Sequence, residues 1–452
     1  MPNVFNQSLW GDEGFSAILS MKSLPEIIKI LIADTSPPLW NIFEWVVFKI
    51  LGTGETCIRL LSFIFFLGAV FFTYKIGAYL FGKKTGVLAA VLTFLNPFFF
   101  TYAFEGRMYS ILALGVTASM YFFIKKSWGW YVFWTLWALY SHHFAVFAVF
   151  TQGLWFLYEY LFGNRKMAGA FRAFVIVGLG YLPWIYPLYL QVSRVSGGFW
   201  LGIPSLTDLR NLIYEYLAEG IKSHPYRIFG VYLHQLALWT TFIILALKKW
   251  SRDLKKTLFL LGWFLIPILA TWLISQKFTS IFFNRYLLYT VPAATLILTS
   301  LRRTRVSVIF ITALVISFSL IDWYYFIHPT KIPFRDLAVY VRLTQMPGDL
   351  LINEDTGNHK LWESKYYGIP APIYNPQSIP LPYFVGTALM EDADIITKIP
   401  TGTKRLGVIT YKKGSELKLT GFKVLEEKSF GDLNFVWLQR ESGDTRRAIL
   451  TN

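Results

Sequence analysis

The apolar residues of this 452-residue chain gather into long runs bounded by charge. A helix needs about 20 mostly apolar residues to cross roughly 30 Å of hydrocarbon. Ten runs approach that length: residues 58–82, 86–104, 107–125, 128–142, 144–162, 172–190, 228–247, 257–275, 286–301 and 306–327. The fourth and fifth are separated only by Ser141, His142 and His143, so they read equally as one long buried element that bends there.

The pattern differs at the two ends. Within residues 1–57, Ile18, Leu19, Leu24, Ile27, Ile28, Leu31 and Ile32 have the spacing of one amphipathic helix over 16–33, expected to lie in the membrane interface. Residues 38–51, following Pro37, are apolar but too short to span, and with Trp40 and Trp45 they predict a second interfacial helix. Met1 to Gly11 has neither the basic start nor the apolar core of a cleavable signal, so the N-terminus is expected to be translocated as a tail or to follow an upstream helix. Residues 191–227 form one long loop rich in Gly, Ser and Pro, a length that is usually functional or disordered. From 329 onward the sequence turns to soluble composition, with strand-like runs at 350–353 and 405–410 and a hairpin pairing 422–426 with 434–438 around Gly431. The expected fold is an α-helical polytopic membrane protein of about ten transmembrane helices, with interfacial helices in the first external segment and a small C-terminal α/β soluble domain. The corresponding segments are 1–57, 58–328 and 329–452.

Composition agrees with the membrane class: 54% apolar, 19% aromatic and only 15% charged, with mean hydropathy +0.44, where a soluble domain carries roughly a quarter charged residues. The formal charge of +16 would suit nucleic acid, but its placement argues against that partner. Lys83, Lys84, Lys125, Lys126, Arg165, Lys166, Arg172, Lys248, Lys249, Arg252, Lys255, Lys256, Arg302, Arg303 and Arg305 occupy alternate loops. The opposite short loops hold only Arg107, Lys277 and Arg285. By the positive-inside rule the N-terminal segment and everything after Ile327 are expected on the extracytoplasmic face. Cys57 is the single cysteine, which excludes a disulfide framework and a Cys-rich metal site.

On that topology the unusual polar residues collect at the external rim. Asp12 and Glu13 open the chain's external segment, Glu105 and Arg107 occupy one external turn, His142 and His143 the next, and Arg285 with Tyr286 the start of the ninth span. Charge at such depth is costly and needs a partner or a function. These residue types suit transfer of a glycosyl group from a lipid phosphate. Asp12 or Glu13 would take the proton from an acceptor hydroxyl as it attacks the anomeric carbon. The guanidinium forks of Arg107 and Arg285, with Lys277, would meet the departing phosphate. An apolar groove would hold the polyprenyl tail.

The pattern Trp10-Gly11-Asp12-Glu13, Ser36-Pro37-Pro38-Leu39, Glu105-Gly106-Arg107-Met108-Tyr109 and Arg285-Tyr286 resembles the membrane glycosyltransferases of C-type fold. More narrowly, it is similar to glycosyltransferase family 39 and the protein O-mannosyltransferase-like group, related to the lipid A aminoarabinose transferases. The similarity covers roughly residues 8–330. It implies Asp12 as catalytic base or metal-site carboxylate, Glu105 as the second acidic position beside Arg107 and Tyr109, and Arg285-Tyr286 as contacts of the carrier phosphate. It also implies inversion at the anomeric carbon. Two departures stand out: members normally have a membrane helix before the acidic motif, and often a Lys or His just before the Pro-Pro pair, and neither is found in this sequence.

Plainer roles compete at each position. Asp12 and Glu13 would solvate a terminus, Glu105 and Arg107 would pair with each other at a helix turn, and Arg285 would snorkel to the interface. His142 and His143 suggest a metal, but adjacent helical residues point about 100° apart and seldom chelate together. A structural role fits them better, or a contact to acceptor or phosphate by one ring. A divalent ion stays open and no metal ligand is assigned. The expected function is an integral membrane glycosyltransferase passing sugar from a polyprenyl-phosphate donor to a glycan, lipid or protein acceptor. Its expected site is the extracytoplasmic face of a bacterial or archaeal plasma membrane, among membrane lipids. Glu13 and Glu105 would orient the acceptor, and Tyr109, His142 and His143 are further candidate contacts. A transporter or flippase of lipid-linked sugars is the rival from another class. It would favour paired charges near the bilayer midplane and internal repeats, neither of which is evident. A scaffold or receptor would leave the rim charges unexplained.

Overall fold

The structure, a computed structural model, describes residues 3–162, 168–220, 236, 254–300, 305–357 and 360–441. The expected span 228–247 and the basic residues Arg165, Lys166, Lys248, Lys249, Arg252, Arg302 and Arg303 lie outside the described residues, Leu236 apart. The chain divides into two compact units. One comprises Met1–Phe5 with Leu31–Pro329, the other Asn6–Ile30 with Thr330–Asn452.

The first unit is helical and integral to the membrane. Among the described residues, five helices are long and apolar enough to cross a bilayer: Glu55–Phe81, Ala145–Phe162, Gly169–Ser196, Leu254–Ser275 and Ser307–Ile327. A sixth span is counted if the bent pair Lys83–Phe94 and Pro97–Ala103 crosses as one. Tyr109–Lys125, Trp128–Ser141 and Val291–Thr299 are shorter apolar helices. Residues 86–104, expected as a single run, bend by 65° at Leu95–Asn96. Pro97 cannot donate to the preceding turn, and Asn96 restarts the helix by accepting the Phe99 N–H on its Oδ1 at 3.0 Å.

Small and polar residues hold the bundle, as expected where lipid is as apolar as the side chains. Gln152 donates to Ser119 Oγ at 2.9 Å and accepts from the Tyr131 hydroxyl at 3.0 Å, while Ser119 and Thr135 lie 2.7 Å apart. The 27-residue helix Glu55–Phe81, about 40 Å long, turns back at Gly82 and crosses the next helix at Gly77 and Gly86. A Cβ added at Gly86 would lie 2.7 Å from Ala78 N and Tyr74 O, backbone atoms that cannot move aside. Gly86→Leu is therefore expected to cost about 3 kcal/mol, as overpacking does, read as a lower unfolding midpoint in detergent. Gly129→Ala, where nothing lies within 4 Å, is the control, and equal midpoints for the two variants would contradict this crossing.

In the second unit a six-stranded sheet runs in the order β3-β2-β1-β4-β6-β5. The strands are β1 (Leu350–Asn353), β2 (Ile373–Tyr374), β3 (Ile395–Ile396), β4 (Arg405–Thr410), β5 (Phe422–Phe430) and β6 (Leu433–Arg440). β1 to β4 pair in parallel, and β6 and β5 close the sheet as an antiparallel hairpin. One face carries the helix Phe334–Thr344, whose Phe334, Leu337, Ala338 and Val341 pack with Leu351, Ile409, Phe435 and Trp437. Gly407 in β4 leaves room for that layer, since a Cβ there would come within 2.9 Å of Leu351, Phe435 and Trp437.

Asn6–Ile30 completes this unit. Gln7 Oε1 accepts from Thr330 and Lys331 N–H at 3.0 and 3.2 Å, and the Tyr367 hydroxyl accepts from Leu9 N–H at 2.9 Å. The single helix expected over 16–33 is instead two, Gly11–Ser20 and Leu24–Ala33. Glu26 ends the continuity by accepting both the backbone N–H of Ser23, at 3.0 Å, and its hydroxyl, so a new helix begins there. The first helix buries Phe15, Ala17 and Leu19 on protein rather than lipid. Gly14 lets it approach the Leu361–Tyr366 helix closely, and the Phe15 and Trp362 rings meet edge to face at 5.3 Å. The helix expected over 38–51 is observed as Leu39–Leu51.

Candidate active site

In the membrane unit the candidate residues come from three turns. Glu105 and Arg107 sit between the helices Pro97–Ala103 and Tyr109–Lys125, in a turn tightened by Arg107 N–H donating to the Glu105 carbonyl at 2.7 Å. Arg285 and Tyr286 belong to the short 3₁₀ turn Asn284–Tyr286, and His142 caps the helix Trp128–Ser141. Glu105 pairs with Arg285, Oε1 to Nη1 at 3.8 Å, with only 6% and 13% of the two side chains exposed. Glu105 thus meets a residue 180 positions away in the sequence.

Aromatic rings frame this pair. The Arg285 guanidinium lies 4.8 Å from the Phe283 ring, 5.6 Å from Tyr109 and 6.0 Å from Tyr286, distances at which the ring faces attract a cation. The His142 ring is 5.0 Å from Tyr286 and 6.4 Å from Tyr109, within electrostatic reach of both Arg107 and Arg285. Its Nδ1 accepts from Phe144 N–H at 3.1 Å, which assigns the proton of the neutral ring to Nε2. His143 points elsewhere, its Nε2 to Gln191 Oε1 at 2.7 Å and its Nδ1 to the Tyr181 hydroxyl at 3.2 Å. Gln191 in turn donates to the Leu31 carbonyl at 2.7 Å. His143 therefore ties helices together, and the two imidazoles do not converge. Lys277 is exposed after the helix Leu254–Ser275, and among the described residues no contact joins it to Arg285.

Asp12 and Glu13 belong to the other unit, in the first turn of Gly11–Ser20, where acidic residues complement the helix dipole. Their environments differ sharply. Glu13 is fully buried and its Oε2 accepts from Trp10 N–H at 3.3 Å, a helix-capping contact. Asp12 is half-buried. Beside them stands an ion pair that the sequence did not disclose, Lys360 Nζ to Glu363 Oε1 at 3.3 Å. A Cβ added at Gly11 would lie 3.7 Å from both Glu363 oxygens. Burial pushes the Glu363 carboxyl above the ordinary glutamate range, Lys360 draws it back and Asp12 pushes it up again. Burial alone would lower the Lys360 ammonium, but Glu363 and Tyr411 more than offset this and hold it above its usual value.

Chemically, the membrane unit offers a buried carboxylate and guanidinium among aromatic faces, suited to a phosphate on a lipid. The second unit offers one partly accessible carboxylate with a supporting ion pair. Among the described residues, no group of three or more His, Cys, Asp or Glu is arranged to hold a metal ion.

Residues 35–189 match the family described as dolichyl-phosphate-mannose-protein mannosyltransferase. No curated protein matches the chain in sequence. Among solved structures, ArnT from Cupriavidus metallidurans in the apo state is similar over 96% of this chain and 94% of that one, with 12% identity and a TM-score of 0.61. The same protein bound to undecaprenyl phosphate is similar over 97% and 96%, with 12% identity and a TM-score of 0.59. The Archaeoglobus fulgidus oligosaccharyltransferase in complex with zinc and sulfate is 14% identical, over 83% of this chain and 59% of that chain, with a TM-score of 0.50. At these identities the likeness is one of fold: apolar helices followed by a C-terminal sheet domain, as in the C-type glycosyltransferases.

Proposed function

We propose that this chain is a membrane glycosyltransferase of C-type fold, related to the lipid A aminoarabinose transferases, that transfers a sugar from a polyprenyl-phosphate donor to a lipid, glycan or protein acceptor. The observation that carries the reading is the buried Glu105–Arg285 pair, ringed by Tyr109, Phe283 and Tyr286, in a fold whose relative ArnT binds undecaprenyl phosphate.

In this reading the acceptor hydroxyl attacks the anomeric carbon and Asp12 takes its proton. The bond from the anomeric carbon to the phosphate oxygen breaks, with inversion, and the electron pair leaves with polyprenyl phosphate. Arg107 and Arg285 meet the charge of that phosphate, a task suited to a guanidinium whose donors are fixed before the reaction. Glu105 holds Arg285 in place, and Tyr286 and His142 border it. Glu13, committed to its cap, supports the helix rather than the chemistry. The placement of basic residues in alternate loops supports an active site on the extracytoplasmic face, and the membrane proposed is a bacterial or archaeal plasma membrane.

Single-turnover assays with purified polyprenyl-phosphate sugars, in detergent with and without chelator, test this reading. Release of free polyprenyl phosphate from one donor is expected. Loss of turnover in chelator would establish a divalent-metal requirement, and turnover that persists would rule one out. If no donor is consumed while lipid-linked sugar crosses a reconstituted bilayer, the chain is a transporter instead.

A further inference from the structure

The long loop after the helix Ile185–Ser196 packs against the bend of the broken helix at Asn96. Its helix Leu206–Tyr214 ends in a single π turn, Glu215–Glu219, closed by Gly220 N–H donating to the Glu215 carbonyl at 3.1 Å. Such turns cost hydrogen-bond geometry and recur at functional sites. This one is anchored from both directions. Asn96, at the bend of the broken helix, donates its amide to the Tyr216 carbonyl at 2.8 Å, and the fully buried Tyr216 ring lies 4.8 Å from Phe98. Gly220, with φ +63°, comes so near Pro97 that an added Cβ would lie 2.7 Å from the proline ring.

The anchored turn grips the residue immediately before Arg285. Glu215 Oε2 accepts from Asn284 Nδ2 at 2.8 Å, the Tyr216 hydroxyl donates to the Asn284 carbonyl, and Asn284 Oδ1 accepts from Arg285 N–H at 2.7 Å. The amide oxygen, the amide nitrogen and the carbonyl of Asn284 are all committed. Glu215 also acts electrostatically on Tyr102 together with Glu105 and Arg285, so its carboxylate lies at the same cluster.

We propose that Glu215, acting through Asn284, is a positioning residue that fixes Arg285 for the donor phosphate. The proposal rests on the reading of Arg285 as a phosphate contact. A backbone shift at Asn284 would move Arg285 and its flanking rings Phe283 and Tyr286 together. Displacement of about 1 Å in a positioned group is enough to cost on the order of a hundredfold.

The experiment measures affinity of the purified full chain in detergent for a polyprenyl phosphate without sugar, alongside the unfolding midpoint. Arg285→Ala is expected to weaken binding by on the order of a hundredfold, and Glu215→Ala and Asn284→Ala each by about tenfold. Glu215→Gln keeps an oxygen facing Asn284 and is expected to restore affinity to within about threefold of native. Normal affinity in Arg285→Ala would remove Arg285 from phosphate binding and the proposal with it. Weak binding by Arg285→Ala with native affinity in both Glu215→Ala and Asn284→Ala would overturn the proposal and leave the donor reading standing, whatever the midpoints. Equal loss in Glu215→Gln and Glu215→Ala would also overturn it, since charge rather than hydrogen-bonded placement would then be the operative property. If Glu215→Ala does not fold, Asn284→Ala carries the same comparison.

Discussion

Asp12→Asn is expected to reduce sugar transfer on the order of a thousandfold, the usual contribution of a general base, while the protein stays folded. Asparagine keeps the shape of the side chain and its hydrogen-bonding oxygen but cannot accept the acceptor's proton at neutral pH. The helix has reason to tolerate the change. Its cap is made by Glu13 through Trp10, and its packing by Phe15 against Trp362, neither of which involves Asp12. Loss of one first-turn charge costs at most about 1 kcal/mol. Affinity for polyprenyl phosphate is expected to remain native, because the carboxylate acts on the acceptor. Turnover within tenfold of native would remove Asp12 from proton transfer and direct attention to Glu105.

Lys360→Met is expected to destabilise the second unit by about 3 to 5 kcal/mol, the usual cost of breaking a buried pair by removing one partner. Glu363 is only 2% exposed, and its carboxyl, already raised by burial, would lose the charge that draws it back. The sign with pH follows from linkage. A carboxyl whose folded pKa is raised costs nothing below its unfolded value, about 4.3 for glutamate, and its burial becomes a growing penalty as pH rises through the folded value. The deficit of Lys360→Met should therefore be larger near pH 7.5 than near pH 5, by a difference on the order of 1 to 2 kcal/mol. Denaturant melts at the two pH values provide the measurement. A deficit independent of pH would mean that packing of the lysine stem, rather than charge, is what Lys360 contributes.

The two units differ in how far the sequence disclosed them. Strands β1 and β4 begin and end where composition placed them, because each is a short apolar run between turn residues. The hairpin was found around Gly431, whose φ of +65° requires such a residue, but its strands extend further through polar residues such as Lys428 and Gln439. β2 and β3, two residues each, have no length over which a period can show. In the membrane unit the helices Glu55–Phe81 and Tyr109–Lys125 are visible as apolar runs, while the bend at Asn96 lies inside a run that stays apolar on both sides of it, with Pro97 as its single mark.

The site was legible wherever charge stood against an apolar background, as at Glu105 and Arg285. It was not legible where a residue acts through a distant partner. Glu215 looks like one of many polar loop residues until Asn284, 69 positions on, is placed beside it. Glu363 lies in soluble sequence where acidic residues are ordinary, and only the fold brings Gly11 to it. Likewise His142 and His143 are adjacent in sequence, yet one borders Tyr286 and the other holds Gln191.

The excursion of Asn6–Ile30 into the second unit has a consequence for dissection. The chain passes between its two units at Phe5–Asn6, Ile30–Leu31 and Pro329–Thr330, so no single cut separates them. Truncation after Pro329 would strip Phe15 of the Trp362 ring it packs on and leave the Gln7 side-chain Oε1 without the N–H groups of Thr330 and Lys331. Expression of residues 330–452 alone would expose the Trp362 face that Phe15 and Gly14 cover. The C-terminal region is thus not an exchangeable cassette: a graft between homologues must carry the acidic segment with it.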